Sequence, residues 1–80
     1  MNTGEALRVH RAVEFIRHRV ECGDEFGWDV EDVEEELPAV LAFYGISYDS
    51  FSDEALSVLM TELGWLAEAE QEREVVRIYA

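Results

Sequence analysis

Apolar positions along the chain fall into three stripes of helical period. The first comprises Ala6, Val9, Ala12, Val13, Ile16 and Val20, which at about 100° per residue share one helix face. Asn2 followed by Glu5 has the spacing of an N-terminal cap, and Gly23 supplies a stop, so the pattern predicts a helix over 5–22. Leu7, Phe15 and Cys22 point away from that stripe in company with Arg11 and His18. The helix therefore has a second face to bury, against the rest of the fold or against a partner.

The second stripe is Val30, Val33, Leu37, Val40, Leu41 and Tyr44, preceded by a loop from Asp24 to Trp28 and by Asp29 as a natural cap. Its phase carries across Pro38, which falls on the opposite side. One helix over 29–44, kinked where the proline ring removes an N–H and crowds the carbonyl of Glu34, fits this better than two separate helices. Gly45 closes it. After a loop carrying Tyr48 and Phe51, Ser52-Asp53-Glu54 starts a third helix with the stripe Leu56, Leu59, Met60, Leu63, Leu66 and Ala67. Past Ala69 that stripe fails, because Glu70, Glu74 and Arg77 land where the core should be. Residues 74–79 then read as a re-phased helical turn or, from their β-branched content, as a short strand. The expected fold class is all-α: a compact three-helix bundle with helices near 5–22, 29–44 and 53–70, the middle one kinked at Pro38, and a short C-terminal tail that is helical or a single strand.

Charge changes this picture most. Eight of the thirteen residues from Asp24 to Glu36 are acidic, none is basic, and the chain carries a formal charge of -13. Residues 1–22 are net +1, with Arg8, Arg11, Arg17 and Arg19 against three glutamates, and residues 23–80 are net -14. The first helix can neutralise part of the rest. Apolar residues at 49% and aromatics at 11% are too abundant for a disordered acidic tail. Eighty residues are expected to form one domain, 1–80, with a modest core. The first residues have neither the basic flank nor the apolar core of a signal peptide, and the single Cys22 cannot form an internal disulfide, so a cytoplasmic location is expected. The net charge disfavours direct binding to nucleic acid or to an anionic membrane.

Candidate chemistry is sparse. His10, Glu14, His18 and Cys22 recur every four residues, the only ligand-like spacing present, but a helix offers at most two neighbouring side chains to one ion and no further His or Cys exists. Pairing of Glu14 with Arg17 or His18 is the simpler expectation. The acids of 24–36 lack the alternation and the central glycine of a calcium loop, and no nucleophile motif or glycine-rich phosphate cradle occurs. Neither enzymatic activity nor a cofactor or metal is expected, and a metal-dependent protein using His10, Glu14, His18 and Cys22, completed by carboxylates or by another subunit, stands third behind two binding readings. Glu70 with Arg73 and Glu74 with Arg77 are spaced to satisfy each other.

Binding remains. Carboxylates at helical spacing lie about 5–6 Å apart, near the separation of neighbouring phosphates in nucleic acid, so an acidic helix can occupy a basic groove in place of DNA or RNA. In composition, though in no motif, the chain resembles the small acidic helical proteins with which phages and bacteria block nucleases and other nucleic-acid enzymes. The expected function is a non-catalytic acidic protein that docks on a basic protein partner, a nucleic-acid-binding enzyme, through Asp24, Glu25, Asp29, Glu31, Asp32, Glu34, Glu35 and Glu36. Trp28, or Phe26 beside it, serves as the aromatic anchor, and the competing role for Trp28 is a plug from loop to core. The alternative is a self-associating adaptor or assembly protein, possible as a homodimer, using Leu7, Phe15, Val58 and Trp65.

Overall fold

The computed structural model of the chain describes residues 1–23 and 26–79, with side chains through Arg73. Three helices pack against one another: α1 (Thr3–Glu21), α2 (Val30–Phe43) and α3 (Asp53–Tyr79). No strand occurs among the described residues, so the tail takes the helical alternative and α3 runs on to Tyr79 instead of ending near residue 70. Twenty-seven residues make a rod of about 40 Å, close to the full 44 Å length of the molecule. The core stripe ends at Ala67, and beyond it Gln71, Glu72 and Arg73 are exposed. Glu70 accepts from Arg73 Nη1 at 3.0 Å, an i,i+3 pair that suits a helix with no core beneath it.

Each helix starts on a local cap, and α2 ends on a local stop. Asn2 Oδ1 accepts from the Glu5 N–H at 2.8 Å. Asp29 and Asp32 form a reciprocal capping box at the start of α2. Ser52 Oγ accepts from the Ala55 N–H at 3.3 Å at the start of α3. At the end of α2, Gly45 takes φ 74°, which the absence of a Cβ permits. Its N–H reaches Ala42 O at 3.0 Å while that of Ile46 reaches Leu41 O at 2.9 Å, and Ile46 packs against the core. This is a Schellman ending with its apolar contact. The kink in α2 is present: Glu36, two residues ahead of Pro38, leaves the helical region at φ -120° and ψ 28°, yet Val33, Leu37, Val40, Leu41 and Tyr44 all remain buried.

α3 is the spine. α2 packs on its Met60 and Gly64 side and runs antiparallel, with Val30 beside Gly64 and Pro38 beside Asp53. α1 packs on its Val58 and Glu62 side and runs in the same sense. One core joins Val9, Val13, Ile16, Val33, Leu41, Leu59 and Leu63, all at or below 5% exposure. Ala6, placed in the first stripe by its spacing, is exposed, because it lies one turn before the helix meets the core.

α1 is tied to α3 by a polar clasp as well. The Glu5 carboxylate accepts from both Ser52 Oγ at 2.5 Å and the Ser52 N–H at 3.2 Å. Beside it Arg8 Nη2 donates to Ser50 O at 2.9 Å while its guanidinium lies 4.8 Å from the centre of the Phe51 ring. The hydrogen bonds from Ser52 hold the Glu5 carboxyl below its ordinary range. A depressed carboxyl stabilises the fold fully above its ordinary range, and that contribution disappears as pH falls through the folded-state value. Wild type and Glu5→Gln should therefore differ in denaturant midpoint near neutral pH and converge in acid, which unfolding curves across the carboxylate range will check.

Candidate functional site

The acids of α2 separate into two groups. Asp29 and Asp32 are engaged in the capping box, and Glu31 sits in the first turn, where the helix dipole favours negative charge by about 0.3–1 kcal/mol. Glu34, Glu35 and Glu36 lie beyond that turn and gain nothing from the dipole. All three are exposed, as are Asp29 and Glu31, while Asp32 is half-buried. The apolar seam takes one side of the helix, Glu31 and Glu35 point opposite it, and Glu34 and Glu36 flank it. Asp24 and Glu25, the other two expected contact residues, lie outside the described residues.

Three of the four arginines of α1 are engaged elsewhere. Arg8 is held in the clasp, Arg17 pairs with Glu14 one turn away, and the Arg19 guanidinium lies 5.8 Å from the Phe15 ring centre and 5.7 Å from that of Tyr44. Among the described residues, Glu31, Glu34, Glu35 and Glu36 make no ion pair. Carboxylates three and four apart thus face water with no ion-pair partner among the described residues.

Of the two expected aromatic anchors, Phe26 is unavailable, being 7% exposed and stacked on Tyr44 with ring centres 6.4 Å apart. Trp28 is half-buried and packs against the core, the plug role. The exposed indole is Trp65, at 61%. It stands at a groove between α2 and α3 whose other walls include Val30, Glu34, Gly64 and Glu68. A neighbouring groove joins Glu34 and Glu35 to Asp53 across Pro38 and Met60. The acidic surface therefore crosses from α2 onto α3. Sequence reasoning confined it to 24–36; pairing the second and third stripes antiparallel would have brought Glu68 to Val30 and Asp53 to Pro38.

In comparisons with known proteins, no family model, curated protein or solved structure matches this chain. Function rests on the surface itself.

The remaining candidates are placed as follows. Glu14 pairs with Arg17, the simpler of its two expected roles, and the Cys22 thiol lies 3.5 Å from His18 Nε2 on the exposed end of α1. Among the described residues no group of three or more His, Cys, Asp or Glu side chains is arranged to hold a metal ion. No described helix is long and apolar enough to cross a membrane. Leu7 and Phe15 are exposed at 47% and 46%, whereas Val58 packs against the core from the α1 side, contrary to its expected outward position. Phe43, at 66% exposed and edge-on to Tyr44, is an outward aromatic that the stripe pattern passed over.

An uncompensated acidic helix should behave as one. Glu35→Gln removes repulsion from Glu31 and Asp32, each worth about 0.2–0.5 kcal/mol. Its melting temperature should rise at low ionic strength, and the gain should shrink as salt screens the pair, which calorimetry in two buffers will check.

Proposed function

We propose that this protein is a non-catalytic binding protein that docks its α2–α3 acidic surface on a basic surface of a protein partner, in the manner of an inhibitor that takes the place of nucleic acid on an enzyme. One observation carries this. Glu34, Glu35 and Glu36 are exposed, lie outside the reach of the helix dipole, and have no ion-pair partner among the described residues, so the fold derives no stability from their charge. Charge that works against the domain is explained by a basic surface elsewhere.

A second reading has its own support. Leu7 and Phe15, exposed on the outer face of α1, suit a self-associating adaptor. Sedimentation at several concentrations decides it: mass that rises with concentration and falls in Phe15→Ser is expected for the adaptor, and a monomer throughout removes it.

For the docking surface, affinity capture from the source cell at low and at high salt is the test. Captured protein should be basic, should be released by salt, and should be lost with Glu31→Lys, Glu34→Lys and Glu35→Lys combined, while that variant keeps wild-type helicity. Retention of the same partner by the reversed variant defeats the proposal.

A further inference from the structure

One of the residues lining the Trp65 groove is a glycine that the fold does not need. Gly64 sits in the middle of α3, where glycine costs about 0.5–1 kcal/mol relative to alanine. Its backbone is helical, and a Cβ built on it would meet nothing within 4 Å. Neither backbone conformation nor close packing therefore explains it. What its missing side chain does is leave space beside an exposed indole.

The chemistry around that space is consistent. Trp65 is 61% exposed although it lies on the same helix as the central core leucines, Leu59 and Leu63. Glu34 reaches the groove from α2 and Glu68 from α3, and Val30 closes its end. On the α3 surface Glu68 stands three residues from Trp65, within reach of its ring, while Glu62 lies on the α1 side. Neither Glu34 nor Glu68 has an ion-pair partner among the described residues. An indole face bordered by unpaired carboxylates, with open space beside it, suits a flat cation on an aliphatic stem: the cation lies against the ring, its N–H groups meet the carboxylates, and its methylenes cover Val30 and Gly64.

We infer that the groove formed by Val30, Glu34, Gly64, Trp65 and Glu68 is a specific pocket for an arginine side chain of a protein partner. This rests on the docking surface proposed above and names the group it recognises. Arginine is favoured over lysine because a planar guanidinium can stack on the indole while presenting donors sideways to two carboxylates, whereas an ammonium is a compact, strongly hydrated point charge.

The test uses the whole chain and two probes of equal charge, an arginine–glycine repeat peptide and its lysine–glycine counterpart, titrated by calorimetry and tryptophan fluorescence at low salt. The arginine peptide should bind several-fold tighter than the lysine peptide and should perturb tryptophan emission. Trp65→Ala should weaken it about tenfold, the range of a desolvated cation–π contact, and should remove the preference over lysine. Gly64→Ala should raise the melting temperature and yet weaken binding, an opposition that damage to the fold cannot produce. Equal binding of the two peptides, or wild-type affinity in both Trp65→Ala and Gly64→Ala, overturns the pocket. If that binding is still lost with Glu31→Lys and Glu35→Lys, the acidic docking surface stands without it; if neither peptide binds, both fail. Self-association by sedimentation that Trp65→Ala abolishes also overturns the pocket, since its occupant is then a second copy.

Discussion

Burial of one face of α2 on α3 is the interaction that everything else depends on. Val33, Val40 and Leu41 are fully enclosed and Leu37 nearly so, and each such side chain contributes about 1.5–3 kcal/mol. The like-charge pairs along the same helix, Glu31 with Glu34 and Glu35, and Asp32 with Glu35 and Glu36, oppose folding by about 0.2–0.5 kcal/mol apiece. All four together come to about 0.8–2 kcal/mol, comparable to a single enclosed leucine and far below the seam as a whole. A seam of four or five apolar residues is thus enough to hold a helix whose first half is otherwise anionic, and the magnitudes show why an 80-residue domain tolerates such a surface.

The spine arrangement decides where that surface goes. With α1 on one flank of α3 and α2 on the other, the acids of α2 continue onto α3 and away from the arginines of α1. Three of those four arginines are occupied locally: Arg8 by the Ser50 carbonyl and Phe51, Arg17 by Glu14, and Arg19 by the rings of Phe15 and Tyr44. Short-range partners win over distant ones because Coulomb attraction between exposed groups is largely screened beyond about 10 Å at ordinary salt. The bookkeeping of total charge, which suggested neutralisation across helices, missed this competition.

Helix number, class and phase were legible because they follow from periodicity alone. The caps Asn2, Asp29 and Ser52, the stops Gly23 and Gly45, and the kink near Pro38 all carry local chemical signatures that a linear reading can find. The length of α3 was not legible. A stripe that fails after Ala69 looks like the end of a helix, yet the helix runs on to Tyr79. The candidate surface was half legible: the acids of α2 are a run in the sequence, but Glu68, Asp53 and Trp65 join them only across space, and no spacing within one segment encodes that. Trp65, off the main stripe, was expected to face outward and Trp28 to serve as plug or anchor; what no linear reading could supply is that the packing of α2 on α3 sets Trp65 beside Glu34 and Glu68.

The division of charge between the first helix and the remainder has a mechanical consequence. A body that is net +1 over residues 1–22 and net -14 over the rest has its centre of negative charge displaced from its centre of mass. Near a large cationic object it therefore feels a torque as well as a pull, and at separations within the Debye length it turns its α2–α3 side forward before any atoms touch. α1 then trails on the far side of the collision, its Leu7 and Phe15 still turned to solvent.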